Sequence, residues 1–210
     1  MKYKPYEYQT YATNFIKQKD ISALILDMGL GKTVITLTAI RDLIISGEIS
    51  KVLIVAPLRV CTSTWPTEIA KWDHLKDLSY SVAIGTLKAR METLSKQVDI
   101  HIINRENIEW LVNKSGLILN YDMVVLDELS SFKSYTAKRF KAILKIRPYI
   151  KRIVGLTGTP SPNGLMDLWA EYRILDFLFC IWSWLIAIHY HSIAFIRYKV
   201  LSSISCDVST

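Results

Sequence analysis

Six short runs of apolar, largely β-branched residues recur along the chain, and each is followed by a stretch with helical spacing. The runs are Ser22–Leu26, Lys51–Pro57, Tyr80–Ile84, Asp99–Ile103, Asp122–Leu126 and Lys151–Leu156. None shows the clean apolar–polar alternation of a strand with one wet face, so each must be buried on both faces. A run, a helix and another run in repeated order is the pattern of parallel strands joined by crossover helices. The fold class this dictates is α/β, a mainly parallel sheet flanked by helices on both faces. In such a sheet every strand delivers its carboxyl end to one rim, so the loops after the strands meet there.

Helical patterns are predicted at about Pro5–Gln18, ahead of the first strand, and at Lys32–Ser46, with Gly47 as its stop. Another opens near Pro66 and Glu68, and a further one is capped by Thr86 and runs to about Lys96. The rest lie near Arg105–Val112, Ser134–Lys145 and Leu165–Leu175.

The loop after the first strand reads DMGLGKT, Asp27–Thr33. Gly29 and Gly31 let a backbone close around phosphate oxygens, and Lys32 opens a helix whose first N–H groups face an anion. Lys32 can reach the terminal phosphates, and the Thr33 hydroxyl can join a magnesium ion. The longer glycine-rich signature wants a glycine where Leu26 stands, so the loop alone leaves a chance turn open. A second loop supplies what phosphoryl chemistry needs. Asp127 and Glu128 end the run MVVLDE, one acid to hold the metal's water shell and one to activate the attacking water. A third, Gly155–Gly164 (GLTGTPSPNG), places Thr157, Gly158 and Thr159 on the same rim, where the hydroxyls could link the γ-phosphate site to a bound substrate.

In this order and spacing, DMGLGKT, DELSS and LTGTPSPNGLMDLW resemble the helicase-like ATPases of superfamily two, and within them the Snf-type DNA translocases. That family tolerates a non-glycine at the Leu26 position. The resemblance implies a RecA-like P-loop NTPase domain using ATP and Mg2+. Lys32, Asp127 and Glu128 would be the catalytic residues and Thr33 and Asp127 the metal holders, while Met28, Gly29, Leu30, Gly31, Lys32 and Thr33 would form the phosphate loop. Gln9 resembles the family's adenine-sensing glutamine, whose amide would pair with the adenine edge. Thr157, Gly158 and Thr159 would couple the nucleotide to DNA. Arg59 of APLRV, with Asn104 and Arg105 of INREN, are candidates for contact with the DNA backbone. One departure is Ser130, where the family usually has His or Asp; it leaves the two acids intact and bears on coupling between ATP and DNA.

The resemblance covers about Tyr3–Asp176, the first of two RecA-like domains, and no motif of the second follows. Residues 1–176 are therefore expected to be the ATP-binding domain. Residues 177–210 are an apolar tail, with no Asp, Glu, Lys or Arg from Phe177 to Ile196. Three readings stand for it: a membrane span, a core helix, or a non-native end produced by a change of frame near Asp176. The last is preferred, and no membrane partner is expected. A separate chain supplying the second RecA-like domain is one expected partner; without one, hydrolysis by this chain should be slow.

The net charge of +7 fits a polyanionic partner, here DNA bound without sequence preference, as well as it fits a solvated basic surface. Three widely spaced cysteines without a C-x-x-C fit a reducing cytoplasm and argue against a disulfide framework or a zinc site. The alternatives are a non-catalytic nucleotide- or DNA-binding fragment, another P-loop motor such as a viral packaging ATPase, and a membrane-tethered ATPase.

Overall fold

The computed structural model describes residues 1–158, 165–175 and 194–197. In chain order the elements are α1 (Glu7–Gln18), β1 (Ile21–Ile25), α2 (Lys32–Ile45), β2 (Val52–Ala56), α3 (Leu58–Thr62), α4 (Thr64–Lys71), β3 (Tyr80–Ala83) and α5 (Leu87–Leu94). They continue with β4 (Ile100–Asn104), α6 (Ile108–Asn113), β5 (Met123–Asp127), α7 (Lys138–Ile146), β6 (Arg152–Thr157), α8 (Leu165–Leu175) and β7 (Ala194–Arg197). The strands form one sheet in the order β3-β4-β2-β5-β6-β1-β7, and every pairing is parallel.

The missing alternation in the strands is explained by two separate cores. In β2, Val52, Ile54 and Ala56 face the core built with α1, α2, α3 and α4, whereas Leu53 and Val55 face the one built with α5, α6, α7 and α8. Period two is kept, but both sets are apolar because both faces are covered. At the amino-terminal rim, Asp122 accepts hydrogen bonds from Ser50 N, Ser50 Oγ and Lys151 Nζ and so staples three strand starts. Arg152 Nη1 bonds Lys17 O at the end of α1, and its Nη2 pairs with Glu48.

The element boundaries match the sequence reading to within three residues except in three places. The chain turns helical directly after Pro57, so one predicted helix near Pro66 is two, α3 and α4. Pro66 lies in the first turn of α4, where its missing N–H costs nothing. The predicted start of α7 at Ser134 moves to Lys138, because Ala137 N closes a turn on Ser134 O and the Ser134 and Thr136 hydroxyls bond each other. Within the tail, Ala194–Arg197 is a parallel strand against β1, with Ser22 opposite Ala194 and Ile25 opposite Arg197. The expectations for the rest of 177–210 lie outside the described residues. Among the described residues no helix is long and apolar enough to cross a membrane.

Candidate functional site

The three chemistry-bearing loops leave adjacent strands. β5, β6 and β1 are neighbours, and the register puts Asp127 opposite Leu156 and Ile25 opposite Thr157. The ladder extends one step past β1, with Leu26 N donating to Thr157 O at 3.1 Å. The base of the Asp27–Thr33 loop is thus fixed to the end of β6.

Lys32 is folded back over its own loop. Its ammonium donates to Leu26 O at 2.7 Å and to Asp27 O at 3.2 Å. Burial lowers the Lys32 pKa from the ordinary lysine value, against the pull of Asp127, Glu128 and Asp27, whose negative charges favour the ammonium. Gly31 has φ 78°, and a side chain there would come within 2.7 Å of Gln9 Nε2. The positive φ favours glycine, and a side chain there would also have to push the Gln9 amide aside. The first bond inside α2 is Ile35 N to Gly31 O, so the N–H groups of Lys32 and Thr33 have no helical carbonyl to meet. Thr33 is half-buried at that helix start, and Met28, 93 % exposed, stands at the loop tip.

Helix α1 braces this loop. Tyr8 Oη donates to Leu30 O at 3.2 Å. Gln9 is buried beside Gly31, but its Oε1 accepts from Tyr6 N at 3.1 Å and Tyr3 Oη at 3.3 Å. As the third residue of α1, Gln9 reaches back to the residue preceding the helix, the standard use of glutamine at that position. Its expected pairing with an adenine edge would use an amide whose oxygen is engaged in this way. The oxygen end already serves the helix, and the nitrogen end is the one beside the phosphate loop.

Asp127 is half-buried, and its Oδ2 accepts from Trp65 Nε1 at 2.9 Å. Burial raises its pKa and the adjacent Glu128 adds to that, while the Trp65 bond and Lys32 oppose it. Glu128 has φ 63° and ψ 63°, the left-handed region, and is the one non-glycine with positive φ among the described residues. Such a conformation costs roughly 1–2 kcal/mol and marks a side chain being aimed. Ser130, two residues on, donates its hydroxyl to Glu128 Oε1. Leu129 folds back onto β6, where Gly155 makes room: a Cβ there would lie 2.7 Å from Leu129 Cδ2. Thr157 is buried and Gly158 sits close to Leu26 O, while Thr159 lies outside the described residues.

The candidate DNA contacts emerge on the same rim from β2 and β4, where Ala56 pairs with Asn104. Arg59 is exposed on α3. Asn104 is 7 % exposed, and its amide nitrogen donates to Glu106 Oε2 while its oxygen accepts from Asn107 Nδ2. Arg105 Nε donates to Glu106 Oε1 at 2.9 Å. Asn104 thus braces its own loop, and Arg105 already has an acid partner.

Two features escaped sequence reasoning. Trp65 lies in the first turn of α4 beside Pro66, and nothing local marks its indole as the partner of Asp127. The positive charge is also unevenly spread, since the segment between Glu128 and Asp167 holds eight Lys and Arg and no acid. Much of that charge is structural. Arg147 is buried and donates to Leu175 O and Ile150 O, Arg139 donates to Ser131 O, and Lys151 and Arg152 hold carboxylates. The +7 balance is weak support for a polyanionic partner once these bonds are seen.

Comparison with known proteins bears on the whole arrangement. A family model described as the SNF2-related domain matches residues 8–185. Protein p41 of Acyrthosiphon pisum secondary endosymbiont phage 1 is 39 % identical over 83 % of this chain and 39 % of its own length. The Caenorhabditis elegans helicase ssl-1 is 31 % identical over 80 % of this chain and 7 % of its own. Among solved structures, the Sulfolobus solfataricus SWI2/SNF2 ATPase core in complex with dsDNA superposes with a TM-score of 0.71 at 25 % identity, covering 84 % of this chain and 36 % of that one. The chain spans less than two fifths of the length of each of these proteins.

Proposed function

The chain belongs to the SNF2-related family, and from that premise we propose that it is the ATP-binding part of a DNA-dependent ATPase. The observation that carries this reading is the contiguity of β5, β6 and β1, which gathers Asp127, Glu128, Thr157 and Lys32 on one rim. The donor set fits a magnesium triphosphate: free N–H groups at a helix start, an ammonium held on loop carbonyls, and a hydroxyl and a carboxylate of the hard-oxygen kind. When bound, Mg2+ would neutralise charge on the β- and γ-phosphates.

Lys32 exchanges its carbonyl partners for phosphate oxygens and so needs no new burial. Thr33 and Asp127 hold the metal side, and Glu128 takes the proton of the attacking water. Residues 1–176 are the unit that does this, with Thr157, Gly158 and Thr159 as its coupling loop. Arg59, and Arg105 once released from Glu106, contact the DNA backbone without reading sequence. Full turnover requires a second RecA-like unit with an arginine finger, worth about 10³–10⁵ in rate. The 210-residue chain by itself is expected to hydrolyse ATP slowly.

The test is titration of this chain with ATP and Mg2+. Saturation at about 100 times Kd should stabilise the fold by about 2.7 kcal/mol; no heat and no thermal shift would end the reading. Glu128→Gln should bind as the parent does and lose its residual turnover, and an unchanged rate would remove Glu128 from the role of base.

A further inference from the structure

We propose that Trp65 is a positioning residue for Asp127, fixing the orientation of the carboxylate and tying it to the segment that carries Arg59. This rests on the reading of the nucleotide site given above.

Trp65 is fully buried, near the start of α4. A buried indole N–H must find an acceptor, and here it has taken a carboxylate oxygen, 62 residues away in sequence. A backbone carbonyl would satisfy the indole equally well and would leave the acid untouched. The choice of a carboxylate makes the bond charge-assisted and directional. Its effect falls on a torsion that is otherwise soft, because the terminal rotation of aspartate is broad. A packed ring, unable to turn, holds that rotation in one place. An acid that must face a metal water shell benefits directly, as ligating carboxylates generally depend on such outer partners.

The second half of the proposal comes from the chain path. Arg59 and Trp65 are six residues apart, across α3 and the break at Ser63, and α3 packs on α4. Between them Cys61 is buried and bonds Ala56 O at the end of β2. Arg59 therefore projects to solvent from a short, anchored segment whose other end holds Asp127.

The experiment compares ADP binding by the 210-residue chain and its Trp65→Phe variant, by calorimetry, once in Mg2+ and once in EDTA. Phenylalanine keeps most of the apolar filling and removes the N–H. The variant should lose about 10-fold in affinity in Mg2+ and less than about 2-fold in EDTA. In an Asp127→Ala background the same change should add nothing, since the bond's acceptor is already gone. Equal losses in both buffers, or no loss, would overturn the proposal and leave Trp65 a packing residue. If the parent chain binds ADP in neither buffer, the nucleotide site itself is wrong and this proposal goes with it. Should Trp65→Phe fail to fold, the indole N–H resonances of the 15N-labelled parent decide. One should move with Asp127→Asn and again when Mg2+ is added to the ADP-bound chain. Resonances indifferent to both would overturn the proposal.

Discussion

The two halves of the carboxyl rim are built on opposite terms. On the β5-β6-β1 side the functional groups are held in costly states. Lys32 is partly desolvated over carbonyls, Asp127 is half-buried beside a second acid, and Glu128 stands in a left-handed conformation. On the β2-β4 side the polar groups satisfy one another: Asn104, Arg105 and Asn107 close a loop around Glu106, and only Arg59 of the named candidates faces solvent without that loop. A site that waits for a highly charged ligand keeps its groups under tension, which the ligand then relieves. On the proposed reading, a surface that meets a uniform DNA backbone needs little more than accessible charge. Trp65 crosses from the second half into the first.

The largest expected break of this contrast is Lys32→Ala. It should weaken Mg-ATP binding by about 100-fold, since a charge-assisted bond to phosphate is worth up to about 3 kcal/mol. Its duplex DNA affinity should stay within about 2-fold. Calorimetry and a fluorescence binding assay read the two halves separately, and a parallel fall in both would erase the distinction.

Acid should loosen the other half first. His101 lies fully buried in β4 with its Nδ1 against Tyr121 Oη, and burial, helped by Lys51, pushes its pKa down to about 4. The unfolded chain takes up this proton near pH 6.5, so the native state carries the full stability above that value. It loses up to about 3 kcal/mol as pH falls from 6.5 to 4. Hydrogen exchange at pH 5 should show β3 and β4 opening before β1, and a His101→Phe variant should flatten the dependence.

A smaller effect tests the tension directly. Glu128→Gly relieves the left-handed backbone and should raise stability by about 1 kcal/mol, or about 2–4 °C in Tm for a domain of this size. A lower Tm would mean that the side-chain bond to Ser130 outweighs the strain. The smallest change belongs to Arg59→Ala. It should weaken duplex binding only a few-fold and reduce the salt slope by about 1, as expected for a single lost phosphate contact. ATP binding in the absence of DNA should not move; if it does, Arg59 belongs to the nucleotide side.

What the sequence determined was local or periodic. Strands apolar on both faces required a covered parallel sheet, glycines at positions 29 and 31 allowed the loop before Lys32, and Thr86 announced its helix with a cap that bonds Ala89 N. Asp127 and Glu128 were legible because a strand end bearing paired acids is a short, contiguous signal. The tertiary structure alone decided which half of each side chain is free. Gln9 gave its oxygen to its own helix, Asn104 turned inward, and Trp65 met Asp127 across 62 residues. The physical reason is that a hydrogen bond is made by whatever donor and acceptor the fold brings within about 3 Å, and separation along the chain carries no information about that distance once the strands have been reordered in the sheet.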